Sequence, residues 1–283
     1  MQNFERIDVR HLGRERVICC HRFGDVLVDP GPASSIDTVI EALGNVVPRA
    51  IVLTHIHLDH AGGVGHLVRR YPQAEVYVHE VGAPHVVDPA RLLKSAARVY
   101  GDSLTALWGE TLGVPAQNVK TVGDGDLVYG LRAIHTPGHS GHHLAFLHED
   151  SGMALVGDMY GQTVAPGEQV ILSTPPPEID LEVWADSVRK IASFNPTELA
   201  LTHFGAITDV ATQTERTLEE LARIGEKSHA ASEADVIAYI EATFASMPLD
   251  IGVSMRQASP PLQQLWLGLE RYWRKHDELP AAS

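Results

Sequence analysis

The residues best suited to chemistry lie in one short segment, THIHLDHAGG, which directly follows the apolar run AIVLT. Its donors are His55, His57, Asp59 and His60. A turn at the end of a strand can aim alternate residues differently, so His55 and His57 can bind one cation while Asp59 and His60 face a second. Four nitrogen and oxygen donors exceed what one tetrahedral ion takes from a single loop. The segment therefore predicts a metal site.

Three further donors follow apolar runs later in the chain: His139 in HTPGHSGHH, Asp158 in LVGDMY and His203 in LTHFG. Taken singly, a histidine after a strand is more often a packing residue, and an aspartate after glycine is more often a turn or cap residue. With the first segment they form a donor set of imidazoles and carboxylates without thiolates. Such a set favours zinc, and it also suits iron or manganese.

In this order, the residues resemble the motifs of the metallo-β-lactamase-fold hydrolase superfamily, which also has an early aspartate, here Asp29 in VLVDPG. The resemblance covers about residues 6–207 and implies a mixed α/β fold, a four-layer αββα sandwich with two divalent metal ions at one sheet edge. It implies that the first metal is held by His55, His57 and His139, and the second by Asp59, His60 and His203. Asp158 would bridge the two metals, and Asp29 would orient ligands without binding metal.

The implied chemistry is hydrolysis by a hydroxide that bridges the two metals, so no serine or cysteine nucleophile is needed. Asp59 is the expected hydrogen-bond acceptor of that hydroxide and can pass a proton to the leaving group. Tyr160 lies two residues after Asp158, and we expect its phenol to stabilise the oxyanion, as an analogous tyrosine does in related lactonases; plain packing is the alternative. His85 and the segment 89–113 flank the expected entrance as lid residues, with contact to substrate left open.

The glyoxalase II enzymes, which hydrolyse glutathione thioesters, are the most similar branch, on the segments HxHxDHAGG, TPGH and GD. The chain departs from them at Ile56, where they carry a further histidine, and at His142, where they carry glycine. We therefore predict cleavage of a small ester-like bond, with thioesters or lactones favoured. The alternatives are a persulfide dioxygenase-like oxidoreductase with one iron, a small phosphoester hydrolase, and a non-catalytic binding module, which would be expected to lack some ligands.

The composition and charge of the chain limit the classes of partner that it is expected to bind. The chain has 283 residues and a formal charge of −14, which repels nucleic acids and anionic membranes, so we expect a small-molecule substrate. The only cysteines, Cys19 and Cys20, are adjacent and form no disulfide framework. The start of the chain lacks the apolar segment of a secretion signal, and no apolar run approaches a membrane span. We expect a cytoplasmic protein, with a homodimer left open.

Turn residues and apolar periodicity predict the elements that position the donors. Short strands in 6–12, 16–23 and 25–31 have an antiparallel pattern, and the strand 50–54 precedes the first histidine segment. A further strand is expected over 126–135. We expect two units. Residues 1–208 form the metallo-β-lactamase-fold catalytic domain, and residues 209–283 form a C-terminal helical extension packed on it, because its apolar residues are too few for a core of their own.

Overall fold

Two sheets of six strands each form the centre of the structure, a computed structural model that describes residues 4–162, 169–247, 252–253, 256 and 259–278. The strands of the first sheet, in spatial order, are β1 (Phe4–Asp8), β2 (Cys19–Phe23), β3 (Val26–Val28), β4 (Ala50–Val52), β5 (Glu75–His79) and β6 (Val119–Val122). The strands of the second sheet also lie side by side in chain order: β7 (Leu127–Val128), β8 (Leu131–His135), β9 (Leu144–His148), β10 (Met153–Leu155), β11 (Glu198–Leu201) and β12 (Gly205–Ile207).

Helices cover the outer face of each sheet. On the first sheet they are α1 (Ile36–Leu43), α2 (Leu58–Ala61), α3 (Val64–Arg70), α4 (Ala83–Val87), α5 (Ala90–Tyr100) and α6 (Leu104–Trp108). On the second they are α7 (Leu181–Ser193), α8 (Val210–Ala230), α9 (Glu233–Ala245) and α10 (Leu262–Glu278). Within the described ranges, no helix combines the length and apolar composition needed to cross a membrane.

The layers follow from side-chain alternation along the strands. In β3, Val26 and Val28 belong to the hydrophobic cluster between the two sheets, whereas Leu27 belongs to the cluster under α1 and α3. Successive side chains of a strand point to opposite faces, so a strand that is apolar at every position is covered on both sides. The expected four-layer αββα sandwich is therefore confirmed.

The first three strands pair antiparallel as expected, and β3, β4, β5 and β6 pair in parallel. One local expectation needed correction. The single strand expected over 126–135 is a hairpin, β7 and β8, because Tyr129 and Gly130 both have positive φ, 50° and 87°. Two such residues form the turn whose twist matches that of a hairpin.

The C-terminal helices share one hydrophobic cluster with the second sheet and α7. Leu221, Ile240 and Leu269 in the helices are buried together with Leu199 and Leu201 of β11. The division into domains at residue 208 stays a prediction. In the structure, helices α8, α9 and α10 make a continuous apolar contact with the second sheet.

Candidate metal centre

The seven predicted ligands meet at one edge of the sandwich, beyond the ends of strands. His55 follows β4, Asp158 follows β10, His203 follows β11, and His139 lies in the loop between β8 and β9. Two backbone hydrogen bonds join the sheets here, from Leu144 N to Thr54 O and from Cys19 N to Thr202 O, each 2.8 Å long. The loops from both sheets are thus held together where the ligands project. The binding of metal by these residues stays a prediction.

The first group consists of side chains whose ligand atoms all lie within 4.8 Å of one another: His55, His57, His139 and Asp158. His57 is central, because its Nδ1 is 3.0 Å from Nε2 of His55 and 3.0 Å from Nε2 of His139. Asp158 Oδ2 is 3.3 Å from His139 Nε2.

The second group, Asp59, His60 and His203, meets the same distance criterion. Asp59 and His60 lie in the short helix α2, which starts directly after His57. Asp158 reaches this group with its other oxygen, since Oδ1 lies 3.0 Å from His60 Nε2 and 3.3 Å from His203 Nε2. One carboxylate therefore faces both groups, as a bridging ligand would.

Asp29 lies behind the predicted ligands and is hydrogen-bonded to one of them, His60. Its carboxylate accepts hydrogen bonds from the Thr54 amide and hydroxyl (2.8 and 2.7 Å), from the Thr202 hydroxyl (3.1 Å) and from His60 Nδ1 (2.9 Å). The residue is fully buried and has a φ of 48°, a conformation that costs free energy in a non-glycine residue. Its contact places a proton on His60 Nδ1, so in the neutral imidazole Nε2 is a lone pair directed at Asp158.

Hydrogen bonds also place a proton on Nδ1 of His55, His139 and His203. The Thr54 hydroxyl donates to Asp29, so it accepts from His55 Nδ1 at 3.1 Å. His139 Nδ1 donates to Ser173 O at 3.0 Å, and His203 Nδ1 donates to Val17 O at 3.3 Å. Because one ring nitrogen of each neutral imidazole carries the proton, the Nε2 atoms of His55 and His139 face the site as lone pairs, and Nε2 of His203 does so once its proton is displaced.

This pattern tests whether the residues fit a cation. The Nε2 lone pairs of His55 and His139 both face His57 Nδ1, and one proton there can satisfy only one of them. His60 Nε2 and Asp158 Oδ1 are buried without a hydrogen-bond partner, although the two atoms are only 3.0 Å apart. A positive charge must lie between these two atoms: burial alone would lower the pKa of His60, but the facing carboxylates raise it well above its ordinary value, so a proton or a metal ion occupies this position. The donor set therefore fits divalent metal ions.

The charge states agree with that fit. Burial lowers the pKa of His57 to about 3 and lowers the pKa of His55 well below its ordinary value, so both imidazoles are neutral at pH 7. Burial acts in the same direction on His203, but the carboxylates of Asp158 and Asp59 outweigh it and raise its pKa to about 10. The second group thus attracts positive charge, and a metal ion would displace the proton.

A cavity of about 250 Å³ opens onto both groups. His57, Asp59, His139 and Asp158 line its inner end. The predicted lid contributes His85 and one face of α5, including Tyr100, so both reach the cavity. Another wall is the segment 173–178, which contains three consecutive prolines.

Two histidines next to His139 support the site. His142 lines the cavity; its Nε2 accepts from the Ile56 amide at 3.4 Å, so Nδ1 carries the proton that faces Glu178 at 3.6 Å. His143 is fully buried and accepts from the Asp158 amide at 3.3 Å, which fixes the backbone of that carboxylate.

The structure does not bring Tyr160 to the cavity, so its expected role at the oxyanion has no support in this geometry. The side chain is fully buried in the cluster beneath α7 and α8. Its hydroxyl lies 3.2 Å from Thr214 Oγ1 and 3.4 Å from Val188 O. The positive φ angles of Gly157 (49°) and Gly161 (64°) turn the chain here, so Asp158 and Tyr160 point in different directions.

Helix α10 reaches the site through the proline-rich wall. The Thr174 hydroxyl donates to Leu265 O at 3.1 Å, and a Cβ at Gly268 would lie 1.9 Å from Thr174 O, so helix and wall are in direct contact. Ser173, the neighbour of Thr174, accepts the Nδ1 proton of His139. Sequence patterns carry no signal for this connection, because it depends on how the last helix packs.

Comparison with known proteins agrees with the geometry. A family model described as the metallo-beta-lactamase superfamily matches residues 18–203, which include all the ligands and Asp29. The metallo-beta-lactamase fold-containing protein ST1585 of Sulfurisphaera tokodaii is 28% identical over 199 residues, 67% of this chain and 72% of that protein. A crystal structure of ST1585 from Sulfolobus tokodaii has a TM-score of 0.71 at 22% identity, covering 95% of this chain and 99% of that one.

Two further proteins are similar over smaller parts. A hydroxyacylglutathione hydrolase of Xylella fastidiosa is 37% identical over 130 residues, 44% of this chain. Only 37% of that enzyme's length is matched. TTHA1623, solved in a di-iron-bound form, has a TM-score of 0.51 at 24% identity, covering 76% of this chain and 93% of that one. With the family match spanning most of the chain, the protein belongs to the metallo-beta-lactamase superfamily.

Proposed function

We propose that the protein is a metal-dependent hydrolase that cleaves a small ester-like bond, with thioesters and lactones ahead of phosphoesters. One observation carries the proposal: two groups of lone-pair donors share Asp158 and face a cavity of small-molecule size. The cavity of about 250 Å³ lies just below the ~300–1,000 Å³ range of small-molecule pockets, so its ligand is small and not a polymer.

The proposed metal sites use the two groups described above. His55, His57 and His139 would hold one cation, Asp59, His60 and His203 the second, and Asp158 would contact both. Zinc is proposed ahead of iron and manganese, because imidazole and carboxylate ligands suit all three. When bound, such a pair acidifies a shared water and polarises a carbonyl.

The chain's own residues supply binding and proton transfer. Asp59 lines the cavity and is partly exposed, so its carboxylate can accept a proton there and pass it to a leaving group. Cys19 and Cys20 are fully buried, and burial raises the pKa of both thiols, so neither is available as a nucleophile. We expect the C19S/C20S double variant to keep its activity.

The choice of substrate rests on the cavity and on one relative. The walls of the cavity include apolar side chains such as Ile56 and Val99, which suit an acyl chain. The partial match to hydroxyacylglutathione hydrolases supports a thioester. We also propose that neither nucleic acid nor a membrane is a partner, given the charge of −14. A homodimer and a cytoplasmic location stay predictions.

The test combines metal analysis with an activity panel. Protein purified without added metal is analysed by elemental analysis, before and after reconstitution, and then assayed with thioesters, lactones, phosphoesters and a persulfide. After reconstitution we expect two metal ions per chain and hydrolysis of a thioester or lactone, abolished by Asp158→Ala. The matched control is His229→Ala, since His229 lies exposed on α8, away from the cavity.

Two other results of the same experiment would contradict the proposed function. One iron per chain at most, oxygen consumption with the persulfide and no hydrolysis of any ester would replace this proposal with the dioxygenase-like alternative. Hydrolysis of the phosphoester alone would replace the substrate class and leave the metal site intact.

A further inference from the structure

One face of helix α5 runs along the cavity. Its lining residues form two adjacent rows with a spacing of four, namely Arg91, Ser95 and Val99, and Leu92, Ala96 and Tyr100. Residues four apart lie on the same face of a helix, so this face borders the cavity over the whole length of α5. The helix therefore contacts any elongated ligand at several points.

The C-terminal end of α5 is the end near the candidate metal centre. Tyr100 lines the cavity, and burial raises the pKa of its phenol well above the ordinary value, with the negative charges of Asp59 and Asp158 adding to the effect. Arg91 lies nine residues earlier, which is about 13 Å along a helix at 1.5 Å per residue. The guanidinium is thus remote from the reacting end.

Arg91 is the only lysine or arginine among the described residues that line the cavity, and within the described part of the chain it makes no ion pair. Besides the predicted ligands Asp59 and Asp158, the acidic residue that lines the cavity is Glu178, which already accepts from the Gly141 amide at 3.1 Å and faces His142. The guanidinium is exposed at the edge of the cavity and makes no ion pair with the described part of the chain, so it is available to an anionic ligand.

The surface between the two ends is mostly apolar. Leu92 and Val99 of α5 face the same cavity as Val81 and Pro176. An apolar segment of a ligand can lie there, whereas a charged group would lose its hydration without gaining a partner.

We propose that the substrate is an ester or thioester with an anionic group separated from the scissile bond by an apolar segment, and that Arg91 binds that anion. The inference rests on the proposed hydrolase function. A guanidinium binds carboxylate or phosphate through two parallel hydrogen bonds, which gives orientation as well as attraction. The anion belongs either to the acyl chain or to the leaving group, and the test separates these two sources.

The test uses three thioesters of equal length: one with a terminal carboxylate on the acyl chain, the same compound with that carboxylate methylated, and an isomer with the carboxylate on the thiol side. We expect wild-type protein to prefer one of the anionic compounds. R91Q should raise KM for that compound roughly three- to tenfold, with kcat nearly unchanged and the neutral compound unaffected. Added salt should weaken the wild-type preference, because Arg91 is exposed.

Arg98→Gln is the matched control, since Arg98 lies exposed on the same helix and does not line the cavity. The inference is overturned if R91Q and R98Q behave alike, or if R91Q affects the neutral and anionic thioesters equally. Binding of the matching non-hydrolysable thioethers, measured by calorimetry, separates the inference from the proposed function. If neither these thioesters nor the lactones and phosphoesters of the activity panel are hydrolysed, the hydrolase proposal fails. Weaker binding of the anionic thioether to R91Q would then still support the role of Arg91, and equal binding would overturn it.

Discussion

Asp29 is the residue whose removal should disturb the candidate metal centre most without removing a ligand. Its buried carboxylate accepts four hydrogen bonds, including one from His60. In Asp29→Ala these donors are left unpaired in the interior, so we expect a loss of about 3–5 kcal/mol in the free energy of unfolding. Metal affinity should fall about 10–100-fold, measured by competition with a chelator.

The control for this prediction is Asp37→Ala, which removes an exposed aspartate from the first turn of α1. Asp29→Asn keeps the shape and should lie between the wild type and the alanine variant. Normal metal affinity in Asp29→Ala would show that the Asp29 carboxylate does not orient the ligands.

Tyr160 should matter for stability and not for turnover. Its hydroxyl makes two long hydrogen bonds inside the helical cluster, so Tyr160→Phe should cost about 1 kcal/mol in the free energy of unfolding. We expect kcat to stay within about twofold of the wild type, because the phenol does not line the cavity. A large fall in kcat at unchanged metal content would contradict this prediction and support a role for Tyr160 at the oxyanion.

Glu178 should make stability depend on acid pH. The contact with His142 lowers its pKa to about 2, although burial acts in the opposite direction, and the Gly141 amide adds to the lowering. A depressed carboxylate pKa stabilises the fold above the ordinary value of 4.5, and this contribution disappears as the pH falls from 4.5 towards 2. The stabilities of wild type and Glu178→Gln, measured by chemical denaturation, should therefore converge over that interval. A constant difference would contradict the assignment.

At the scale of elements, the loop that carries His139 depends on close contact with α7. Gly138 has a φ of 133°, and a Cβ there would lie 2.3 Å from Cα of Trp184. Gly138→Ala must push the helix and the loop apart, so we expect lower stability and weaker metal binding together, measured by thermal unfolding and elemental analysis. Gly125→Ala is the control, because Gly125 also has a positive φ, 84°, but has open space around it.

In that control the conformational strain should cost about 1 kcal/mol in the free energy of unfolding, with normal metal content. If Gly138→Ala behaves like Gly125→Ala, the loop does not depend on its contact with α7.

Apolar runs in the sequence placed the donors at the ends of strands, whereas the sandwich and the meeting of seven side chains came from the resemblance to the superfamily. The prediction failed for Tyr160, since spacing from Asp158 along the chain does not fix direction when glycines with positive φ lie on either side. The position of Arg91 at the cavity could not be predicted from the sequence either. The spacing of four in α5 indicates a shared face, but only the packing of α5 shows what that face borders.

At the scale of the whole molecule, the C-terminal helices complete the cluster on the outer face of the second sheet. Leu221, Ile240 and Leu269 are buried against that sheet and α7. A chain ending at residue 208 would leave this apolar face in water, so we expect it to be insoluble or inactive, judged by solubility and by turnover of the substrate found above. A stable, active truncation would contradict the prediction.

The contact of α10 with Thr174 has a consequence for the order of events during synthesis. His139 Nδ1 donates its proton to the backbone carbonyl of Ser173. The neighbouring Thr174 is hydrogen-bonded to Leu265 of α10, which is synthesised about a hundred residues later. Synthesis proceeds from the N-terminus at ~5–20 residues per second, so for several seconds the growing chain has most of its ligands but lacks the helix that supports the wall beside His139. Metal capture should therefore follow release of the finished chain from the ribosome.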